Sequence, residues 1–225
     1  MTPRFSKAVD PIFLQVFELL ERIDQGVTIS PMEEKRKIED LLKSADKLLI
    51  AEAEHWDLAK YLLVAWIDEM LVTAYAWEGN DWWRDNVLEW SIFRTRQCND
   101  QYFVRSNRSR SENLDNAVQL SFLGVVLGFR GLYRDARLSR LLIKKHQLPD
   151  NLDDWAKQFG TAAKSAHTRW KEKSSNFTHD RNVNTAKPIF AREYLAWPWV
   201  AASILAIACF LILSHQLNLR MALWR

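Results

Sequence analysis

The chain has 225 residues, of which 48% are hydrophobic and 26% are charged, and its formal net charge is +3. This composition excludes an intrinsically disordered chain, and the small net charge gives no reason to expect a nucleic-acid partner. The two cysteines, Cys98 and Cys209, are too few and too far apart for a disulfide framework.

Helical periodicity begins close to the N-terminus. The opening residues, MTPRFSKAVDPIF, contain no uninterrupted apolar stretch, so we predict no secretory signal and a cytoplasmic location for the first 193 residues. A first helix is predicted up to Gly26 from apolar residues spaced three and four apart. A second helix is predicted from Ser30 as cap and Pro31 in the first turn, with Glu33 and Glu34 favourably placed for the helix dipole.

The rest of the first 173 residues also predicts helices, without a convincing strand or an internal repeat. The polar segment 98–111 is predicted as a loop, and 174–187 lacks periodicity and is predicted as a tether. The fold class is therefore all-α, a bundle of about seven helices. Further helices are predicted at residues 56–77, 81–96, 113–128, 134–146 and 152–173.

The segment Tyr61–Trp77, YLLVAWIDEMLVTAYAW, is apolar around the whole helix except at Asp68 and Glu69. A buried carboxylate without a partner is very costly, so this pair must be paired, protonated or facing a wet cleft. Neighbours on a helix project about 100° apart, so one arginine does not satisfy both ideally. Structural salt bridges and a docking cleft for a basic partner both remain open. Neither histidine nor metal-ligand spacing accompanies the pair, so we predict no catalytic residue, metal or cofactor.

The segment Leu127–Arg134, LGFRGLYR, follows a predicted helix and contains Gly128 and Gly131. Two glycines three apart after a helix indicate a C-terminal cap and a tight turn. A phosphate-binding loop is the alternative interpretation. It is disfavoured because the GxxxxGK[ST] pattern is missing and no apolar strand precedes the glycines.

The helix predicted after this motif is strongly basic. We predict that Leu138, Leu141 and Leu142 face inward while the cations form a solvated face. Contact with anionic lipid headgroups or with an acidic partner is the alternative, because the domain is predicted to be tethered to a bilayer. The cations of this run are Arg130, Arg134, Arg137, Arg140, Lys144 and Lys145.

The segment Tyr194–Ser214, YLAWPWVAASILAIACFLILS, has 21 residues and no charge. As a helix it would span about 31 Å, close to the thickness of a bilayer's hydrocarbon core. Aromatic residues at its start, Tyr194, Trp197 and Trp199, suit the headgroup region. We predict a cytoplasmic domain at 1–173, a linker at 174–193, a transmembrane helix at 194–214 and a short periplasmic tail at 215–225.

These features in this order resemble the DotU/TssL/IcmH family, inner-membrane subunits of type VI secretion systems and of related type IVb systems. The matching elements are Tyr61–Glu69 with its AWIDE core, the aromatic stretch Trp77–Trp83, the Leu127–Arg134 motif and the C-terminal span. The motif residues that we expect to be structural are Tyr61, Trp66, Trp77, Leu127, Gly128, Phe129, Gly131, Tyr133 and Arg134.

The resemblance implies a hook of two small three-helix-type bundles with a cleft between them, in which Asp68 and Glu69 correspond to a partner-binding acidic pair. It also implies an IcmF/TssM-like membrane partner, the baseplate proteins TssK and TssE, and self-association as a dimer, partly through the span. This chain departs from the family at Asn99–Phe103, where a GE-x-FF element loses its glycine. The eleven residues after the span cannot hold the peptidoglycan-binding domain of longer relatives.

We therefore predict a non-enzymatic inner-membrane scaffold that connects the membrane complex of a type VI secretion system to its baseplate. A DotU/IcmH-type subunit of a type IVb system is the alternative. From another class, a tail-anchored enzyme with an unrecognised cleft site also remains open.

Overall fold

The computed structural model describes residues 1–179, except for the side chains of residues 74, 136–138 and 173–179. This part consists of helices and connecting turns, as predicted for an all-α protein. The remaining linker, the predicted span at 194–214 and the tail at 215–225 lie outside the described residues. None of the helices within 1–179 is long and apolar enough to cross a membrane. The α-helices of this part are α1 (Pro3–Asp24), α2 (Pro31–Leu48), α3 (Ala53–Glu69), α4 (Asn80–Asp85), α5 (Leu88–Phe93), α6 (Cys98–Ser111), α7 (Asp115–Val126), α8 (Ala136–Lys145) and α9 (Leu152–His179).

The first two helices have the boundaries that their sequence predicts. Thr2 caps α1, because its Oγ1 accepts a hydrogen bond from the Phe5 backbone N–H at 3.4 Å. Gly26 follows the end of α1 with a φ of +69°, a conformation that favours glycine. Pro31 begins α2, but Ser30 at the cap position makes no capping hydrogen bond with its side chain.

Helix α3 lies at the centre of the described unit, in contact with α2, α5, α6 and α7. Residues 61–71 are all buried, which confirms the prediction that a helix with apolar residues on every side lies in the core. Trp56 and Trp66 of α3 pack against Phe5 and Phe13 of α1, with ring centroids 5.9 and 5.0 Å apart. One continuous apolar core joins α1 and α2 with α6, α7 and α9. The described helices therefore share one core, in which α3 takes part.

The prediction of a loop at 98–111 is wrong, because this segment forms α6. Its buried face consists of Tyr102, Phe103, Ser106 and Ser109, which recur at helical spacing. The two serine hydroxyls are buried without cost because each donates to a carbonyl of its own helix, at 2.8 Å to Tyr102 and 2.7 Å to Ser106. The stretch that lacks the family's glycine therefore lies in the first turns of a helix.

Two long predicted helices are interrupted in the structure. The helix predicted at 56–77 ends as an α-helix at Glu69 and continues as a π-helical turn, Met70–Ala74. The helix predicted at 81–96 is divided into α4 and α5, and Arg94 ends α5 with a φ of 60°. The described part has nine α-helices where the sequence predicted about seven in the domain, because the helix predicted at 81–96 is divided and α6 forms in the predicted loop.

Helix α8 is oriented differently from its prediction. Leu141 is 81% exposed and Leu142 is 37% exposed, whereas Ile143 is 3% exposed and faces the core. The inward prediction is therefore wrong for Leu141 and Leu142. Successive helical residues project about 100° apart, so burial of Ile143 turns both leucines away from the core. α8 packs mainly against the short 3₁₀ turn that precedes it, Gly131–Asp135.

Candidate partner-binding cleft

Asp68, at the end of α3, binds the start of α5. Its Oδ1 accepts hydrogen bonds from Trp83 Nε1–H and the Leu88 backbone N–H, both at 2.9 Å, and its Oδ2 accepts one from the Glu89 N–H at 2.8 Å. The first N–H groups of a helix have no partner within it, so this carboxylate satisfies two of them. Burial raises the pKa of Asp68 to about 6, although the three donors favour its charged form.

Glu69 binds the turn that follows α7. Its Oε1 accepts hydrogen bonds from the Arg130 backbone N–H at 2.8 Å and from Arg134 Nη2 at 2.6 Å, while its Oε2 accepts one from the Gly131 N–H at 2.9 Å. Arg134 pairs with Glu69, whereas Asp68 accepts its hydrogen bonds from other groups. One arginine therefore does not serve both carboxylates, as their directions on the helix predicted.

The two glycines of the Leu127–Arg134 motif form this turn. Gly128 has a φ of +108°, and the N–H groups of Gly128 and Phe129 donate to the carbonyls of Val125 and Gly124, which is a Schellman cap of α7. Gly131 has a φ of +47°, and a Cβ at this position would lie 2.6 Å from the Asn99 carbonyl oxygen. Cap and tight turn were the interpretation predicted from the sequence, and the geometry supports it.

Glu89 is a third buried carboxylate at this site, and sequence reasoning missed it. Its Oε1 accepts hydrogen bonds from the Tyr61 hydroxyl at 2.6 Å, the Thr95 hydroxyl at 2.8 Å and the Gln97 N–H at 2.9 Å. Its Oε2 accepts one from the Cys98 N–H at 3.1 Å. The short sequence VLEWSIF around Glu89 carries no signal of its burial, which depends on contacts with other segments.

The aromatic motif residues pack and form hydrogen bonds within the domain. Phe129 is fully buried and stacks on Tyr102, with 3.8 Å between ring centroids. Contacts of this kind favour a structural role. Three further side chains donate hydrogen bonds to backbone carbonyls: Trp66 to Leu127 at 3.5 Å, Trp77 to Leu71 at 2.9 Å and Tyr133 to Pro149 at 2.7 Å.

A cleft of about 340 Å³ opens at the end of α3, with Asp68 and Glu69 in its wall. The π-helical turn after α3 contributes to the same wall, and such turns are frequent at functional sites. Asn99 of α6 and Ser139 of α8 line the other sides. Among the described residues, Oδ2 of Asp68 and Oε2 of Glu69 each accept a single hydrogen bond. A carboxylate oxygen has two acceptor positions, and both residues are almost completely buried, with Asp68 2% and Glu69 5% exposed.

Comparison with known proteins identifies the family. The sequence profile of the family described as type VI secretion system protein DotU matches residues 4–217. Among solved structures, the cytoplasmic domain of TssL from Acinetobacter baumannii is similar in fold, with a TM-score of 0.57 and 22% sequence identity over 72% of this chain and 98% of that chain. No curated protein matches the sequence. Because the family profile covers most of its length, the chain belongs to the DotU family of type VI secretion system proteins.

Proposed function

We propose that the chain is a non-enzymatic scaffold of a type VI secretion system that connects the membrane complex to the baseplate. Its anchor is the apolar segment 194–214 in the bacterial inner membrane, and its helical domain lies in the cytoplasm. The partners are an IcmF/TssM-like membrane protein, the baseplate proteins TssK and TssE, and a second copy of the chain. Family membership and the length of the uncharged segment support this proposal.

The cleft at the end of α3 is the docking site of the proposal. The observation that carries it is the place of Asp68 and Glu69 in the wall of a cleft of about 340 Å³, where Oδ2 of Asp68 and Oε2 of Glu69 each accept one hydrogen bond from the described residues. A lysine or arginine of a partner would form charge-assisted hydrogen bonds there, which are stronger than bonds between neutral groups. The side chain of Arg134 is 43% exposed and lies at the same site. It would favour a partner that carries a hydrogen-bond acceptor next to its own lysine or arginine.

Replacing the acidic pair itself is a poor test of docking. Both carboxylates satisfy backbone N–H groups inside the domain, so their loss would also disturb the fold. Asn99 is better suited, because it is exposed, lines the cleft and holds neither carboxylate. Asn99→Arg places a guanidinium of the chain itself at the acidic wall. The matched control is Ser165→Arg, which adds the same group on the exposed side of α9.

The experiment measures binding of purified TssK and TssE to the full chain in detergent. Asn99→Arg should weaken binding about tenfold, since one charge-assisted hydrogen bond contributes about 1.5 kcal/mol. Ser165→Arg should leave binding and melting temperature unchanged. Equal affinity for both variants would contradict docking at the cleft. Copurification of the native chain from membranes identifies its partners, and type IVb subunits among them would contradict assignment to a type VI system.

A further inference from the structure

The exposed face of α8 combines apolar and basic side chains. Leu141 is the most exposed large apolar residue in the described part of the chain, and Leu142 beside it is also exposed. Arg140, Lys144 and Lys145 are exposed on the same helix. With about 100° between successive residues, Leu141 projects between Lys144 on one side and Lys145 on the other. An apolar side chain flanked by cations is typical of helices at membrane interfaces.

The sequence around α8 carries a concentrated positive charge. Residues 130–145 contain six arginines and lysines and one acidic residue, Asp135. The whole chain has 31 basic and 28 acidic residues, so this excess is local. One of the six, Arg134, precedes α8 and is paired with Glu69 in the cleft. A surface of this charge is complementary to anionic lipid headgroups.

We propose that the exposed face of α8, formed by Arg140, Leu141, Leu142, Lys144 and Lys145, binds the anionic surface of the membrane. This inference rests on the proposed span at 194–214. Fourteen residues, 180–193, connect α9 to that span and reach at most about 50 Å when fully extended. The span keeps the whole chain attached to the bilayer, so that even a weak affinity for lipid is effective.

The geometry of α8 relates this contact to the cleft. Ser139 lines the cleft, whereas Leu141 lies two residues later on the exposed face. Residues two positions apart project about 200° from each other, so these two side chains lie on opposite sides of the helix. Binding of the leucine face to lipid would hold the cleft away from the bilayer and toward the cytoplasm. A membrane contact of α8 would therefore orient the docking site.

The experiment places a fluorescent label on the full chain in vesicles. Leu142→Cys, in a background with Cys98→Ser and Cys209→Ser, carries an environment-sensitive nitrobenzoxadiazole group and leaves Leu141 in place. The vesicles are phosphatidylcholine alone or with about 30% phosphatidylglycerol, and lipids with a spin label near the headgroup act as quencher. A label at Lys43→Cys, exposed on α2, is the positional control.

The label at position 142 should shift to the blue and be quenched several-fold more strongly than the label at position 43. Quenching should require phosphatidylglycerol and decrease in about 0.5 M salt, where electrostatic attraction is screened. The triple variant Arg140→Glu, Lys144→Glu, Lys145→Glu should abolish the quenching of the label at position 142. The triple variant Arg36→Glu, Lys43→Glu, Lys47→Glu reverses as many exposed charges on α2 and should retain it.

Vesicle flotation separates failure of the span from failure of the lipid contact. A chain that does not float with neutral vesicles contradicts the span and, with it, the inference. A chain that floats while the label at position 142 stays unquenched in both lipids overturns the lipid contact alone. Shielding of that label only after an acidic partner protein is added would also overturn it, and would assign the face to a protein interface.

Discussion

The backbone N–H of Gly131 donates a hydrogen bond to Glu69 Oε2 at 2.9 Å, although the two residues are 62 positions apart. The same carboxylate accepts bonds from Arg130 and Arg134, so one side chain at the end of α3 holds the turn after α7. Asp68 holds the start of α5 in the same way. The acidic pair of this DotU-family chain therefore organises the wall of the cleft in which it lies.

The turn at Gly131 should tolerate no larger residue. In Gly131→Ala the alanine would have to adopt a φ of +47°. Its Cβ would lie 2.6 Å from the Asn99 carbonyl oxygen and 2.8 Å from the Phe129 ring. We expect a loss of roughly 2–4 kcal/mol in the free energy of unfolding, from left-handed backbone and overpacking together. Urea unfolding of residues 1–179, followed by circular dichroism, measures this loss.

Gly26→Ala is the matched control for that variant. Gly26 also has a positive φ, +69°, but a Cβ there would have nothing within 4 Å. Only the backbone cost remains, so we expect a loss of about 1 kcal/mol. Equal losses for the two alanine variants would show that crowding at Gly131 contributes nothing.

Glu69 and Arg134 form one ion pair but should differ in their effect on stability. Glu69→Gln replaces one acceptor oxygen by an NH₂ group that faces N–H donors, and we expect it to cost about 1–3 kcal/mol. Arg134 is 43% exposed, so Arg134→Ala removes a partly solvated charge and should cost about 1 kcal/mol or less. The comparison uses the same urea unfolding, and a larger loss for Arg134→Ala would contradict the order.

Part of this site is predictable because its residues differ from those around them in the sequence. Two charges inside an otherwise apolar helix indicate a special role for Asp68 and Glu69, and two glycines after a helix indicate a turn at Gly128 and Gly131. Glu89 gave no such signal, since its environment comes from Tyr61 of α3 and from the segment after α5. The sequence therefore predicted the acidic pair but not the third carboxylate beside it.

Helix α6 shows a second limit of the sequence. Its buried face combines two aromatic rings, Tyr102 and Phe103, with two serines, and the polar residue types of the segment predict a loop. Ser106 and Ser109 are fully buried because their hydroxyls bond to carbonyls of their own helix. Residue type alone does not reveal whether a hydroxyl finds an acceptor within its own turn, so the all-α class was predictable and this helix was not.

Asp68 should make stability depend on pH in a direction unusual for a carboxylate. Burial raises its pKa in the folded protein to about 6, from 3.8 in the unfolded chain. Between these values the folded protein holds a proton that the unfolded chain releases, so this contribution to stability falls as pH rises through 6. A shift of this size corresponds to about 3 kcal/mol. Asp68→Asn cannot ionise and should lack this component.

The measurement is the difference in unfolding free energy between the native chain and Asp68→Asn, from pH 4 to pH 7. The subtraction removes contributions of other groups, including Glu34. Burial raises the pKa of Glu34, but hydrogen bonds from Lys37 and Arg22 outweigh it and lower the pKa below its usual value. The stability from Glu34 is therefore lost as pH falls, opposite in sign to Asp68. Parallel curves for the two proteins would contradict a raised pKa at Asp68.

Glu89 should contribute to stability as strongly as the acidic pair that the sequence revealed. It is 1% exposed and accepts bonds from two hydroxyls and two backbone N–H groups. In Glu89→Gln, an NH₂ group placed at the Oε2 position would face the Cys98 N–H, donor against donor. We expect a loss of about 1–3 kcal/mol in urea unfolding.

Tyr61→Phe measures how much a single donor to Glu89 contributes to stability, apart from the contribution of the carboxylate itself. This variant removes the 2.6 Å hydroxyl contact and leaves Glu89 with three donors, so it should cost about 1 kcal/mol. Because both residues belong to one network, the losses should not add in the double variant. Additive losses would show that the Tyr61 hydroxyl and Glu89 act independently. A Glu89→Gln protein as stable as the native chain would show that the hydroxyls reorient and that the two N–H groups find other acceptors.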